Sequence, residues 1–224
     1  MKLEKIRQIK GKIAIVTGLH IGASNETIEI GGIDNPIIKD PLPESRAPYI
    51  PGSSLKGKFR SLIEIKEGRF GKNGTPCDCG IPGCPVCPVF GTSAAVKKSG
   101  DLGPTRIVVR DARLSKEWKK RFEEGDLPME IKYENAINRI SGKANPRPLE
   151  RVPAGVTFDF NISFKVFEDD PEDYFKTVLE AMRMLEMDAL GGSGSRGCGQ
   201  IKFAEVFIDG EKQPDDFLEK IDIN

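Results

Sequence analysis

The sequence predicts an α+β fold with a ferredoxin-like βαββαβ core, and three observations carry that expectation. Phe158, Phe160, Ile162, Phe164 and Val166 alternate strictly with polar residues, as in a half-buried strand. Apolar residues recur at helical spacing in two places, Leu55, Phe59, Leu62 and Ile63, then Phe175, Val178, Leu179, Met182 and Leu185. In chain order the segments read strand, helix, strand, a long excursion, strand, helix, strand.

The elements follow in order. Residues 6–16 are β-branched and loosely alternating, which predicts the first strand, and 18–22 form a turn-rich exit. Residues 23–51 are rich in Gly, Pro and Asp without helical period and predict an irregular loop. Ser53 and Ser54 are expected to cap a helix that runs to about Lys66. Residues 70–103, dominated by Gly, Pro and Cys, look like an insertion. A strand is expected over 106–114 and a short helix over 116–124. The polar, basic stretch 133–151, with Gly142, Pro146 and Pro148, predicts a protruding hairpin or loop. Asp169 and Asp170 are expected to cap the second long helix, with Pro171 in its first turn. A last strand carries Ile201, Phe203, Val206 and Ile208. The expected organisation is one domain over 1–224. Its core is built from about 4–18, 52–67, 105–115 and 155–210, with insertions at 19–51, 70–103 and 126–153. Connections this long are more often functional than passive.

Composition narrows the function classes. The chain has 224 residues, 38% hydrophobic and 30% charged, which predicts a globular protein with a heavily charged surface. No window approaches the roughly 18 consecutive apolar residues of a membrane span, and the N-terminal stretch lacks the apolar run and small-residue cleavage site of a signal peptide. A cytoplasmic location without membrane partners is the expectation. Lys plus Arg number 34 and Asp plus Glu 34, so net charge is zero and argues against general electrostatic binding of nucleic acid. Any such site must rest on local clusters. Two exist: Lys56, Lys58, Arg60, Lys66, Arg69 and Lys72 in one stretch, and Arg139, Lys143, Arg147 and Arg151 in another.

The strongest chemical pattern is Cys77-x-Cys79-x4-Cys84-x2-Cys87. Four thiolates in one turn-rich loop can close a tetrahedron around Zn²⁺, and such a closed site is structural, not catalytic. The segment has little apolar content, so a metal would supply the energy that orders it. A redox or incidental cysteine cluster is the bland alternative. The close spacing of Cys77 and Cys79 leaves a Cys3His site open, with His20, the only histidine, replacing one of them. Cys198 stands apart, and an odd cysteine count argues against a disulfide framework.

Two further segments suit an anion. Pro51-Gly52-Ser53-Ser54-Leu55-Lys56-Gly57-Lys58-Phe59-Arg60 offers free helix N-terminal amides, two hydroxyls and bases. Lys56 and Arg60 share a face away from Leu55 and Phe59. Gly191-Gly192-Ser193-Gly194-Ser195-Arg196-Gly197-Cys198-Gly199 could expose successive amides as an anion nest, with Arg196 forking onto phosphate. Taken singly, a capped surface helix and a flexible hinge explain them as well. Together they form a matched pair. Catalytic candidates are few: one histidine cannot make a two-histidine ribonuclease site, and no Ser-His-acid order stands out. Asp34, in Gly31-Gly32-Ile33-Asp34-Asn35-Pro36, is the most interesting carboxylate, though a loop Asp is more often a turn residue.

The segments TGLHIGAS, GGIDNPIIKDP, IPGSSLKGKFR, YENAINRISGKANPRPLERV and LGGSGSRGCGQ, in that order, resemble the RNase backbone subunit of Csm-type, type III-A CRISPR effector complexes. That subunit belongs to the repeat-associated mysterious protein (RAMP) superfamily. The resemblance spans about 6–207. The cysteine insertion departs from members that lack it. The resemblance implies a ferredoxin-like (RRM-like) palm, with a thumb at about 131–152. It implies several copies stacked along a CRISPR RNA beside other Csm-type subunits, and complementary target RNA cut at regular intervals. It places the catalytic acid at Asp34, served by Mg²⁺ or another divalent metal, as metal ligand or as base. It makes Ser53, Ser54, Lys56, Lys58, Arg60, Arg139, Lys143, Arg147, Arg151, Gly192, Ser193, Gly194, Ser195 and Arg196 contacts to the RNA backbone. A non-catalytic guide-RNA scaffold subunit and a zinc-dependent protein-interaction module are the alternatives.

Overall fold

A computed structural model describes residues 1–23, 35–42, 45–81, 83–93 and 102–223. Its strands are β1 (Leu3–Ile15), β2 (Tyr49–Ile50), β3 (Ile107–Val109), β4 (Ala112–Leu114), β5 (Glu130–Ile137), β6 (Ala144–Arg151), β7 (Thr157–Phe167), β8 (Ile201–Ile208) and β9 (Glu211–Lys212). Its helices are α1 (Gly52–Lys66), α2 (Cys87–Phe90), α3 (Lys116–Glu123) and α4 (Asp173–Met187). The main sheet runs β2-β4-β7-β1-β8-β9, with β3 also on β7, and its paired strands are antiparallel. β5 and β6 form a second, two-stranded sheet, with Glu134 opposite Arg147. The architecture is therefore mixed α/β on antiparallel sheets. Among the described residues no helix is long and apolar enough to cross a membrane.

Periodicity explains the long elements. In β1 and β7 every second side chain turns inward, so Ile9, Ile13, Ile15, Phe158, Phe160, Ile162 and Phe164 are buried together. α1 lays Leu55, Phe59, Leu62 and Ile63 onto that face, and α4 lays Phe175, Val178, Met182 and Leu185 beside them. Edge-on ring contacts tie β7 to β8 within the sheet, Phe160 to Phe203 at 5.2 Å, and the sheet to α4, Phe164 to Phe175 at 5.5 Å.

The ends of elements depart from expectation. Ser53 and Ser54 do not cap α1; they lie inside its first turn, and Pro51 holds the cap position with no side-chain bond. The Gly52 amide is satisfied instead by Asp111 Oδ1 at 2.8 Å. That contact also explains why the strand expected over 106–114 is broken into β3 and β4. A Cβ on Gly52 would lie 2.3 Å from the Val109 carbonyl oxygen, so the helix start sits directly on the break. Asp169 and Asp170 do not cap α4 either, since Glu172 holds that position. Asp170 is taken by the buried Arg106 (2.6 Å) and by the Phe167 amide. A buried guanidinium needs a carboxylate more than a solvated helix end does. The cysteine segment also holds more apolar surface than its composition indicates: Val86, Val89 and Phe90, in and beside α2, are fully buried in the main core.

Candidate metal centre and nucleic-acid interface

The cysteines meet. One ligand atom from each of Cys77, Cys79, Cys84 and Cys87 lies within 4.8 Å of all the others. Cys77 Sγ is 3.7 Å from Cys79, 3.9 Å from Cys84 and 3.7 Å from Cys87, and Cys79 is 3.7 Å from Cys87. A tetrahedron with metal–sulfur bonds of about 2.3 Å has edges of about 3.8 Å. The sulfurs therefore stand at zinc spacing, too far apart for disulfides. Burial pushes the Cys77 and Cys87 thiols up, so a cation among them is what would keep them ionised. His20 is not part of this cluster. Its Nδ1 donates to the Glu150 carbonyl at 2.8 Å, and its ring lies against Gly22 and Gly192, which removes the Cys3His alternative.

The first turns of α1 present Ser53 at the surface with Ser54, Lys56 and Lys58 half-buried. Lys58 pairs with Asp188 at 2.7 Å, holding that carboxyl below its ordinary value. Lys56 has no ion-pair partner among the described residues. Burial, then the nearby Arg60 guanidinium, lower its pKa, so an arriving anion meets an uncompensated cation. Arg60 points elsewhere. Its Nε reaches Glu64 at 2.7 Å and its Nη2 the Cys77 carbonyl at 2.6 Å.

The Gly-rich loop is pinned, not hinged. The Gly192 amide donates to His20 O at 2.8 Å and the Gly199 amide to Gly18 O at 3.0 Å, leaving fewer amides for an anion than the sequence implies. Gly191 (φ +77°) and Gly199 (φ +78°) are required by contact as well as by angle: a Cβ would lie 2.2 Å from His20 O and 2.0 Å from Leu190 O. Gly194, Ser195 and Arg196 form a single 3₁₀ turn entered from Ser193. Arg196 Nε pairs with Glu134 of β5 at 2.7 Å and its Nη2 donates to Ser193 Oγ at 2.6 Å. Lys132 of β5 donates to the Arg196 carbonyl at 2.9 Å. Arg151, at the foot of β6, pairs with Glu130 and donates to Cys198 Sγ at 3.3 Å. The hairpin foot and the Gly-rich loop thus form one joined unit. Arg139, Lys143 and Arg147 remain exposed toward the hairpin tip.

Asp34 lies outside the described residues. The segment just after it is tied to the hairpin: the Glu150 amide donates to Asn35 O at 3.1 Å, and Glu150 Oε2 accepts from the Ile37 amide at 3.0 Å. Lys39 completes this buried carboxylate at 2.6 Å. Asp40 is paired with Arg113. Sequence reasoning missed Glu64, Glu134 and Glu150. Glu64 was findable, four residues after Arg60 on a helix. The contacts that matter here carry no local signal, because Glu134 meets Arg196 62 residues away and Glu150 meets Lys39 111 residues away.

Comparisons with known proteins agree with this arrangement. The RAMP superfamily profile matches residues 12–202. The CRISPR system Cms endoribonuclease Csm3 of Methanothermobacter thermautotrophicus is 48% identical over 225 residues, covering 93% of this chain and 87% of that protein. The protein of the same name from Methanocaldococcus jannaschii is 42% identical, covering 88% of this chain and 78% of the relative. Among solved structures, the crystal structure of the Csm3-Csm4 subcomplex in the type III-A CRISPR-Cas interference complex superposes with a TM-score of 0.59 and 32% identity, over 93% of this chain and 80% of that one.

Proposed function

Because this chain belongs to the RAMP superfamily and, within it, to the Csm3 endoribonucleases, we propose that it is a backbone subunit of a type III-A CRISPR ribonucleoprotein that binds CRISPR RNA and cuts complementary target RNA at regular intervals. The observation that carries this reading is the 48% identity to a Csm3 endoribonuclease across 93% of the chain. Its partners are CRISPR RNA, target RNA, further copies of itself and other Csm-type subunits. A four-cysteine cluster at metal spacing fits a reducing compartment, the cytoplasm. The strand order β4-β7-β1-β8, with α1 and α4 on its apolar face, supports a ferredoxin-like palm, and the β5–β6 hairpin supports a thumb. The cysteine cluster fits one structural Zn²⁺ held by Cys77, Cys79, Cys84 and Cys87.

RNA contacts are assigned to Ser53, Ser54, Lys56 and Lys58 on α1, to Arg139, Lys143 and Arg147 on the hairpin, and to the turn at 192–195. Contacts of this kind position the sugar-phosphate backbone without reading sequence, as a variable guide demands. Arg151 and Arg196 act one step back, fixing the hairpin foot to the Gly-rich loop. Asp34 is the catalytic acid. RNA supplies its own nucleophile: the 2′-OH attacks the adjacent phosphorus, the 5′-oxygen of the next nucleotide departs, and a 2′,3′-cyclic phosphate and a 5′-hydroxyl remain. Alignment of that hydroxyl is the main requirement. A bound Mg²⁺ would stabilise charge on the phosphate. Asp34 would hold that ion or orient the 2′-OH, and Glu150 anchors the chain immediately behind it.

The test is to incubate the assembled complex with matching target RNA and Mg²⁺ and map the fragments. Uniformly spaced cuts with 5′-hydroxyl ends are expected. Intact target bound by a complete complex would instead make this chain a scaffold subunit.

A further inference from the structure

Arg60 was expected to contact RNA, yet it turns away from the helix start and, with Glu64, grips one residue of the cysteine cluster. Glu64 Oε1 accepts from the Cys77 amide at 2.8 Å and from Arg60 Nε at 2.7 Å. Arg60 Nη2 donates to the Cys77 carbonyl at 2.6 Å. The pair therefore engages both backbone polar groups of the same residue, as a neighbouring strand would. Holding the N–H and C=O together fixes the direction of the Cα–Cβ bond, and with it the position of Sγ. Cys77 is the ligand for which this matters most, because its sulfur makes three of the 3.7–3.9 Å edges of the cluster. Glu64 is buried, 7% exposed, and a low local dielectric strengthens its hydrogen bonds.

We infer that Arg60 and Glu64 are positioning residues for the metal centre, setting Cys77 for coordination, and that Arg60 is not an RNA contact. Charge supports the assignment as well as geometry. Four thiolates around a dication carry two net negative charges, and the Arg60 guanidinium is fixed at the carbonyl of one ligand. Outer partners of this kind typically govern metal affinity by about 10- to 100-fold. The geometry also predicts that Lys will replace Arg60 only in part: a single ammonium cannot serve Glu64 and the Cys77 carbonyl at once in a fixed fork. The inference rests on the four-cysteine zinc reading.

The test uses the full chain, purified with zinc and analysed for metal content before any variant is compared. Zinc transfer to a chromophoric chelator and the visible absorption of the cobalt-substituted protein are then measured for Arg60→Ala, Arg60→Lys, Glu64→Gln and Lys56→Ala. Arg60→Ala is expected to weaken metal retention by about 10- to 100-fold and to alter the cobalt thiolate bands. Arg60→Lys and Glu64→Gln should fall between it and the unaltered chain, and Lys56→Ala should match the unaltered chain. With zinc loaded, Arg60→Ala should bind single-stranded RNA as the unaltered chain does. If the unaltered chain holds no metal, both the zinc reading and this inference fail. If it holds zinc and Arg60→Ala retains it equally, only the inference fails. Should Arg60→Ala not fold, unchanged retention in both Arg60→Lys and Glu64→Gln overturns it.

Discussion

A single carboxylate, Asp34, separates binding from cutting in the proposed mechanism. Asp34→Ala is expected to leave complex assembly, guide content and target affinity intact while lowering the cleavage rate by about a thousandfold or more at each site. Parallel filter binding and fragment mapping read the two effects, and normal cutting by the variant would end the assignment. Asp40, the nearest competitor, has a different role. It is buried, accepts from the Leu42 amide and pairs with Arg113, which hold its carboxyl below the usual range. Its folded pKa is depressed, so its stabilising effect is present above the unfolded value of about 4 and fades as pH falls through the folded value. Asp40→Asn should therefore lower the melting temperature near neutrality, and the gap from the unaltered chain should close below about pH 4. A gap that persists unchanged at pH 3 would contradict the ion-pair account.

At the scale of elements, the join between the Gly-rich loop and the hairpin foot is the feature most exposed to small changes. Gly197 and Gly199 have the same sign of φ, at +82° and +78°, but different surroundings. A Cβ on Gly197 meets nothing within 4 Å, whereas one on Gly199 meets Leu190 O at 2.0 Å. Gly197→Ala should cost roughly 1–2 kcal/mol, the left-handed penalty alone. Gly199→Ala should cost more than that, because backbone must move and the Gly199–Gly18 bond is strained with it. Denaturant midpoints compare the two, and equal losses would mean that the loop is not pinned as described. Several bases of α1, the hairpin and the Gly-rich loop are already engaged within the chain. Arg60, Arg151 and Arg196 are spent on Cys77, Glu130 and Glu134, and Lys56, Arg139, Lys143 and Arg147 are not.

At the scale of the whole molecule, the RNA contacts proposed for a chain of zero net charge rest on local clusters of bases. Each remaining phosphate contact should then act independently of sequence. Lys56→Ala and Lys143→Ala should weaken binding to unrelated single-stranded RNAs by similar factors, and each should flatten the dependence of log K on log salt by about 0.7. A loss confined to one RNA sequence would show base readout instead. The sequence by itself determined the repeating parts: the amphipathic faces of α1 and α4, the alternation of β7, the hairpin and the Cys77–Cys87 cluster. Each is written in residues a few positions apart, where period or ligand spacing is a local property. Tertiary structure decided what needs a distant partner. Asp111 satisfies the start of α1 in place of Ser53 or Ser54, and Arg106 draws Asp170 away from α4. His20 bonds the Glu150 carbonyl instead of joining the cysteine cluster, Arg60 turns to Cys77, and Arg196 pairs with Glu134 at the surface. A buried polar group takes whichever partner the packed sheet brings within 3 Å, and that choice exists only once the strands are in place.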